Sequence, residues 1–196
     1  DLHPPHSQLL AEARPGGLGP EVRAKPGQER TPVVQVSWDA AQRYCAAHGK
    51  RLPTEAEWEL AARGPTRRPL PWGSAAPACG AVAFGRGQGP CRGAPGPVPV
   101  GTSPQDRTPE GVMDLGGNVA EWVFDRFRVP YPSCPSPCRD PVAGDARAAE
   151  ADQRVIRGGT WYESELWCRS AGRSHRLRGE QVESNLGFRC AAPISD

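Results

Sequence analysis

One cysteine stands alone in a segment whose other notable side chains are aromatic and acidic. Cys168 lies in "RGGTWYESELWCRS", residues 157–170, with Thr160 and Glu163 as further candidates for catalysis. A thiolate can act as a nucleophile or bind a soft metal ion, and a pair of thiols can form a disulfide. Cys168 therefore has three candidate roles, and the choice among them decides whether the chain is an enzyme.

The residues around Cys168 favour a structural thiol. Three of its sequence neighbours are apolar and predict a buried position: Trp161, Leu166 and Trp167. A thiol in apolar surroundings is unreactive unless a nearby cation lowers its pKa. Arg169 and Arg173 are near in sequence, so a reactive Cys168 stays open as the alternative.

The remaining cysteines have the pattern of a disulfide-bonded protein. Seven cysteines are many for a protein of the reducing cytosol. The spacings of Cys79 and Cys91, and of Cys134 and Cys138 in "CPSPC", would each close a short loop. A zinc site at "CPSPC" would need a second pair of ligands, and none is evident. We therefore expect local disulfides and a location outside the cytosol, whether periplasmic, in the cell envelope or secreted.

Length and composition indicate one loop-rich domain. The chain has 196 residues, of which 23 are proline and 23 are glycine, and its six tryptophans argue against disorder. The net charge of +2 is too small to predict a nucleic-acid partner. No apolar run approaches the roughly 18 residues of a membrane span.

The first third of the chain predicts an irregular arm, a strand and a helix. Residues 1–31 are polar and rich in proline and glycine. The run "TPVVQVSW" has the composition of a strand and contains Ser37, a good helix N-cap. Apolar residues at helical spacing predict a helix from Trp38 to His48, and Gly49 predicts its end.

The clearest local signal is a second helix in "LPTEAEWELAARG". Thr54 and Glu57 have the spacing of a capping box, and Gly64 predicts the end of the helix. An apolar stripe predicts that one face of this helix is buried: Trp58, Ala61 and Ala62.

Loops and short strands are predicted for the rest of the chain. Residues 65–110 and 128–153 have the composition of loops. Strands are predicted after the pair Gly116 and Gly117, in "RVIRGGTWYE" and in "NLGFRCAAP". The segment "RSHRLRGE" predicts a basic loop. Four residues are candidates for binding an anionic ligand or an acidic peptide, with a solvated arginine-rich surface as the alternative: Trp161, Arg173, Arg176 and Arg178.

Five motifs occur in an order that is typical of one family. They are "VVQVSWDAAQRYCAAHGKRLPTEAEWELAARG", "LPWG", "GVMDLGGNVAEWVFD", "RVIRGGTW" and "SNLGFRCA". On these residues, over 32–192, the sequence is identified as a member of the formylglycine-generating enzyme (sulfatase-modifying factor) family. The resemblance implies an α+β fold, a variant of the C-type lectin fold that is low in regular secondary structure. The domain then spans residues 32–196, and residues 1–31 are a divergent start or a sign that the chain is part of a longer protein.

The resemblance implies that the oxidase site of the family is absent here. Formylglycine-generating enzymes oxidise a cysteine of sulfatases with a copper(I) ion held by two cysteines, and soft thiolates suit that ion. By resemblance, Glu163 falls at the first copper cysteine and Thr160 at a serine of the motif, while Cys168 lies beyond the second copper cysteine. Ala120 stands where the family has a tryptophan beside the groove. We therefore expect no copper site of the family's type.

The resemblance also implies a structural calcium ion and a long-range disulfide. The calcium ligands would be oxygens of four residues: Asp114, Gly117, Val119 and Glu121. Hard oxygens suit calcium, and the alternative is a loop whose acids are simply solvated. The family's second calcium site has no carboxylate in residues 80–100 of this chain, so we expect it to be missing. Cys45 and Cys190 match a disulfide pair of the family.

We therefore expect a binding module and not an oxidase. Its rigid frame would present loops to a protein or glycan partner outside the cytosol. One alternative is an oxidoreductase of the same family with altered chemistry at Cys168. The other is a structural subunit of an envelope assembly.

Overall fold

The structure is a computed structural model in which two helices and a small sheet are joined by long loops. It describes residues 27–87, 89–91, 93, 95–128, 141, 153–177 and 183–192. Within these residues no helix has the length and apolar character needed to cross a membrane. Most of the predicted arm and of the predicted second loop lies outside the described residues.

Both predicted helices form, and each has the cap that its sequence predicts. Helix α1 spans Trp38–Ala47, and the Ser37 hydroxyl before it accepts a backbone hydrogen bond at 3.3 Å. Helix α2 spans Glu55–Arg63. Its capping box is complete, because Thr54 Oγ1 accepts from the Glu57 N–H at 3.1 Å and the Thr54 N–H donates to Glu57 Oε2 at 2.8 Å. These bonds satisfy N–H groups that have no partner within the helix.

Four strands form one sheet in the order β3-β2-β1-β4. The strands are β1 (Ala120–Arg126), β2 (Gln153–Arg157), β3 (Arg173–Leu177) and β4 (Leu186–Phe188). The pairs β1–β2 and β2–β3 are antiparallel, whereas β4 runs parallel to β1. This register brings the starts of β1, β3 and β4 and the end of β2 to the same end of the sheet.

Both faces of the sheet are covered. Trp122 and Ile156 pack in one apolar cluster with residues of α1, whereas the adjacent Val123 and Val155 pack in a second cluster with Trp58 of α2. Neighbouring residues of a strand point to opposite faces. The sheet is therefore the middle layer of the domain, with one helix against each face.

Two predictions of local structure are wrong. Val33, Val34 and Val36 are buried, but they form no strand, because Gln35 between them adopts a φ of 58° that interrupts an extended ladder. The segment "RSHRLRGE", predicted to be a loop, begins with strand β3. Strand β3 pairs with β2 through main-chain hydrogen bonds, and this pairing cannot be inferred from the charged side chains of the segment.

Among the cysteines that the structure describes, two disulfides form: Cys45–Cys190 and Cys79–Cys91. The first links α1 to the segment after β4, as the resemblance implies, across a sequence separation of 145 residues. In the chain-entropy model, a cross-link over so long a loop stabilises the fold by about 5 kcal/mol by restricting the unfolded chain. The predicted pair Cys134 and Cys138 lies outside the described residues.

Candidate functional site

A small pocket opens at the end of the sheet where all four strands meet. Ala120 of β1, Ile156 of β2 and Leu186 of β4 supply apolar lining. The rest of the lining is mainly polar: Thr160, Glu163, Trp167, Ser174, Glu183 and Asn185. The pocket thus contains two of the three residues predicted as catalytic candidates, Thr160 and Glu163.

Two glycines turn the chain from β2 into this pocket. Gly158 adopts a φ of 81°, a conformation that other residues rarely adopt. A Cβ atom on Gly159 would lie 3.0 Å from main-chain atoms of Trp167, so only glycine permits this approach. Thr160 Oγ1 then accepts hydrogen bonds from two following N–H groups, including that of Glu163 at 3.2 Å. The Thr160 hydroxyl therefore shapes the turn that carries Glu163.

Cys168 lies outside the pocket lining, in a separate apolar cluster. Its side chain is 1% exposed, and the cluster contains three other buried residues: Val82, Phe84 and Cys91. Burial, reinforced by the carboxylates of Asp106, Glu165 and Glu163, raises the pKa of the Cys168 thiol to about 12. No other described cysteine is free. The geometry is that of an unreactive thiol, because a thiolate would be rare at neutral pH.

Cys168 is buried as the sequence predicts, but two of the neighbours expected to surround it, Leu166 and Trp167, are exposed. Tyr162, Leu166 and Trp167 are 59%, 66% and 40% exposed, and we call these three residues the apolar patch. The short 3-10 helix Glu165–Cys168 accounts for the difference, because its single turn directs Cys168 inward. Trp167 and Ala120 both line the pocket. Trp167 thus supplies an aromatic side chain to the pocket, although its apolar character had suggested a place around the buried Cys168.

Arg173, the one predicted anion-binding arginine whose side chain the structure describes, is not part of the pocket lining. Arg173 donates to both carboxylate oxygens of the buried Glu55, at 2.5 and 2.9 Å. The side chain of Arg176 and the whole of Arg178 lie outside what the structure describes. Trp161 packs its ring edge-on against Tyr162, with centroids 5.7 Å apart. The anionic-ligand hypothesis therefore loses Arg173, which neutralises Glu55.

Sequence reasoning missed the buried polar network that anchors this region. Arg157, at the end of β2, is fully buried and donates to Glu59 of α2 at 2.5 Å. It also donates to the carbonyl oxygens of Ser170 and Gly172, which follow the 3-10 helix. The available signal was the pair Glu55 and Glu59, which lie one turn apart on α2. Their partners are about 100 residues away, which no local pattern reveals.

Two predicted calcium ligands lie near a buried arginine. Arg189 donates from Nε and Nη2 to the two oxygens of Glu121, each at 2.6 Å. Trp58 Nε1 also donates to Glu121, at 2.7 Å. Arg189 Nη2 donates further to the carbonyl oxygen of Asp114 at 3.1 Å. The positive charge beside Glu121 is therefore a guanidinium, a partner that sequence reasoning missed.

The carboxylates around Arg189 have a combined negative charge that would favour binding of a further cation. The hydrogen bonds that these carboxylates already make favour it less. Asp106, Asp114 and Glu121 are all buried near this one arginine. Burial and the neighbouring Asp114 raise the pKa of Asp106 to about 7. However, Asp114 Oδ2 accepts from the Gly101 N–H at 2.7 Å, and both carboxylate oxygens of Glu121 accept from Arg189. Calcium at the four predicted residues, Asp114, Gly117, Val119 and Glu121, therefore stays a prediction.

The glycine turn, the capped helix α2 and the mixed sheet carry the motifs that the sequence shares with a known family. The family model for the sulfatase-modifying factor enzyme 1-like domain matches residues 12–194. The chain belongs to this family. Its fold is accordingly the α+β, formylglycine-generating-enzyme-like variant of the C-type lectin fold.

Individual relatives differ in their stated activity. A bovine protein named inactive C-alpha-formylglycine-generating enzyme 2 is 34% identical over 192 residues, which are 91% of this chain and 55% of that protein. The formylglycine-generating enzyme of Mycobacterium tuberculosis is 37% identical over 177 residues, 84% of this chain and 58% of the enzyme. The chain thus spans little more than half the length of these relatives.

A solved structure supports the same fold. PvdO from Pseudomonas aeruginosa superposes with a TM-score of 0.68 at 26% sequence identity, covering 92% of this chain and 69% of PvdO.

Among the relatives named above, some are called enzymes and some are called inactive. Membership of the family alone therefore does not assign an activity to this chain.

Proposed function

We propose that this chain is a formylglycine-generating-enzyme-like module without oxidase activity, which binds a protein or glycan partner outside the cytosol. The pocket at the end of the sheet and the apolar patch beside it form the binding surface. The frame beneath them is held by the capped helices, the buried arginine network and the disulfides.

One observation carries this proposal: the pocket offers a carboxylate where the family's oxidases offer copper thiolates. Glu163 lines the pocket at the position that matches the first copper cysteine, and a carboxylate is a poor ligand for copper(I). Cys168 is buried in another cluster, and its pKa of about 12 opposes the thiolate form. The donor set for two-thiolate coordination is therefore not assembled in the described part of the chain.

Two further findings support the proposal. A relative that aligns with 91% of this chain is named an inactive member of the family. The two disulfides suit an oxidising compartment, which supports a periplasmic, envelope or secreted location.

A copper(I) titration tests the missing donor set. The protein with its disulfides intact is titrated with copper(I) against a chromophoric chelator, and a formylglycine-generating enzyme with both copper cysteines serves as the positive control. We expect the chain to leave the metal on the chelator, like its Cys168→Ala variant. Binding of one copper ion per chain that is lost in the Cys168→Ala variant would instead support the oxidoreductase with altered chemistry.

A further inference from the structure

We propose that the exposed face of α2 is a second docking surface, and that it binds a peptide segment of a partner protein in which an acidic residue stands beside an aliphatic one. The aliphatic side chain packs on Leu60, and the carboxylate pairs with Arg67. This inference goes beyond the proposed function, because neither residue lines the pocket at the end of the sheet or belongs to the apolar patch.

An open groove of about 410 Å³ lies along α2 and continues past the end of the helix. Sites that hold a ligand have volumes of about 300–1,000 Å³, so this groove has room for side chains of a partner. We call it the α2 groove, and six residues line it: Ala56, Glu59, Leu60, Arg63, Gly64 and Arg67. The helical residues among them have the spacing of one helix face, whereas Trp58 and Ala62 pack in the core. The groove therefore lies on the side of α2 that faces away from the sheet.

Leu60 presents apolar surface in the α2 groove. This residue is 63% exposed, whereas Trp58 and Ala62 on the same helix are 1% and 0% exposed. Apolar surface is unfavourable in water, so a partner that covers Leu60 gains free energy. The lining residue one turn earlier, Ala56, is small and leaves space beside Leu60. An aliphatic side chain of a partner suits this part of the groove.

The lining of the α2 groove has a net positive charge, from two arginines and one glutamate. Both oxygens of Glu59 already accept hydrogen bonds, from Arg63 Nη1 at 2.7 Å and from Nη2 of the buried Arg157 at 2.5 Å. Arg67 is exposed, and no side-chain hydrogen bond or ion pair links it to a residue that the structure describes. A carboxylate that enters the groove therefore meets a guanidinium whose charge is not neutralised by the described residues.

The turn after α2 holds Arg67 at the groove. The Arg67 N–H donates to the carbonyl oxygen of Gly64 at 3.2 Å, and the Arg68 N–H donates to that of Arg63 at 2.8 Å. The side chain of Arg68 is anchored, because its guanidinium donates to Glu110 at 2.7 and 2.9 Å. Arg67 itself has a φ of 57°, which residues other than glycine rarely adopt. A backbone that is already ordered loses less conformational entropy when a partner binds.

A short acidic peptide matches the α2 groove better than a polyanion does. A guanidinium can bind a carboxylate through two parallel hydrogen bonds. Nucleic acids present a row of phosphates, and proteins that bind them neutralise several of these with a matching row of cations. The groove offers only two arginines beside an aliphatic surface. A peptide with an acidic and an aliphatic residue side by side matches both parts.

Selection with the full chain from a library of short random peptides displayed on phage tests this inference. We expect enrichment of sequences with aspartate or glutamate next to leucine, isoleucine or valine. In a synthetic version of an enriched peptide, replacing the acidic residue with its amide should weaken binding by about tenfold, because a charge-assisted pair is lost. Binding should also weaken as the salt concentration rises, because Arg67 is exposed.

Matched variants locate the contact. Arg67→Gln should weaken binding of the acidic peptide and leave that of the amide version unchanged, whereas Arg43→Gln, at an exposed arginine of α1, should change neither. Leu60→Ala should weaken binding of both peptides, and Leu166→Ala, at a leucine of nearly equal exposure in the apolar patch, should change neither. All four side chains are exposed, so the melting temperatures of the variants should match that of the unmodified protein.

Three results would overturn the inference. They are selection without enrichment of acidic residues, enriched peptides whose binding is unchanged by Arg67→Gln and Leu60→Ala, and binding of a nucleic acid through Arg67 while no peptide binds. Peptide binding that is lost in Leu166→Ala instead of Leu60→Ala belongs to the second case, and it would support the surface of the proposed function. Copper-dependent turnover would overturn the proposed function and leave the peptide results at the α2 groove unaffected.

Discussion

Replacing Arg189 with methionine is expected to be far more costly than the same replacement at Arg51. Both arginines hold a glutamate in a two-pronged pair, Arg189 with Glu121 and Arg51 with Glu57, and all four nitrogen–oxygen distances are 2.6 Å. The pairs differ in exposure. The side chains are 4% and 5% exposed in the first pair and 43% and 39% exposed in the second.

The expected magnitudes follow from this difference in burial. Arg189→Met leaves the buried Glu121 carboxylate without its cation, and an unpaired buried charge costs about 3–5 kcal/mol. Arg51→Met leaves Glu57 in water, where an exposed pair contributes about 0–1 kcal/mol. Glu57 also keeps its role in the capping box, since that bond involves Thr54 and not Arg51.

Urea denaturation at neutral pH, followed by tryptophan fluorescence, measures both losses under the same conditions. Urea is preferred because guanidinium would screen the exposed pair. The double variant Glu121→Gln with Arg189→Met should recover part of the loss, because the neutral amide still accepts from Trp58 and no charge stays buried. Equal losses for Arg189→Met and Arg51→Met would refute the reasoning from burial.

Three further outcomes are expected. The resemblance predicts that a calcium chelator lowers the melting temperature, and an unchanged melting curve would remove the calcium assignment and leave Arg189 as the cation beside Glu121. Because Asp106 has a raised pKa, the folded state keeps a proton that the unfolded chain releases between pH about 4 and about 7. The free energy of unfolding should therefore fall as pH rises through this range. Asp106→Asn should flatten this pH dependence, measured by urea denaturation. Cys168 should react with iodoacetamide only after unfolding, since its thiol is buried with a pKa of about 12, and rapid labelling of the native protein, read by mass spectrometry, would contradict this.

Local sequence signals predicted those elements whose determinants lie close together in the chain. The capping box of α2 needs only Thr54 and Glu57, three residues apart, and both bonds are present. The glycine after β2 likewise marks a turn that its own backbone angle requires. The family motifs add the pairing of Cys45 with Cys190, which no local pattern could supply.

Features that depend on distant partners escaped prediction. Strand β3 forms because its backbone pairs with β2, although its sequence is basic. Arg189 pairs with Glu121 across 68 positions and Arg173 with Glu55 across 118, so each changes the chemical role of a residue that looked available for a ligand.

For the same reason, the sequence predicted only some of the residues that line the pocket. Thr160 and Glu163 were predicted from the motif that follows β2, and they do line one pocket. Trp167 was expected to help surround the buried Cys168, whereas the turn of the 3-10 helix exposes it. One residue of helical rotation separates the buried Cys168 from the exposed Trp167, and composition carries no information on that rotation.

Incubation with a peptide that contains the sulfatase cysteine motif, in the presence of copper(I) and oxygen, tests the absence of oxidase chemistry most directly. Mass spectrometry of the peptide reports whether its thiol side chain becomes an aldehyde. We expect this chain to leave the cysteine unchanged, whereas a family enzyme with both copper cysteines converts it. Conversion by this chain that disappears in the Cys168→Ala variant would contradict the account.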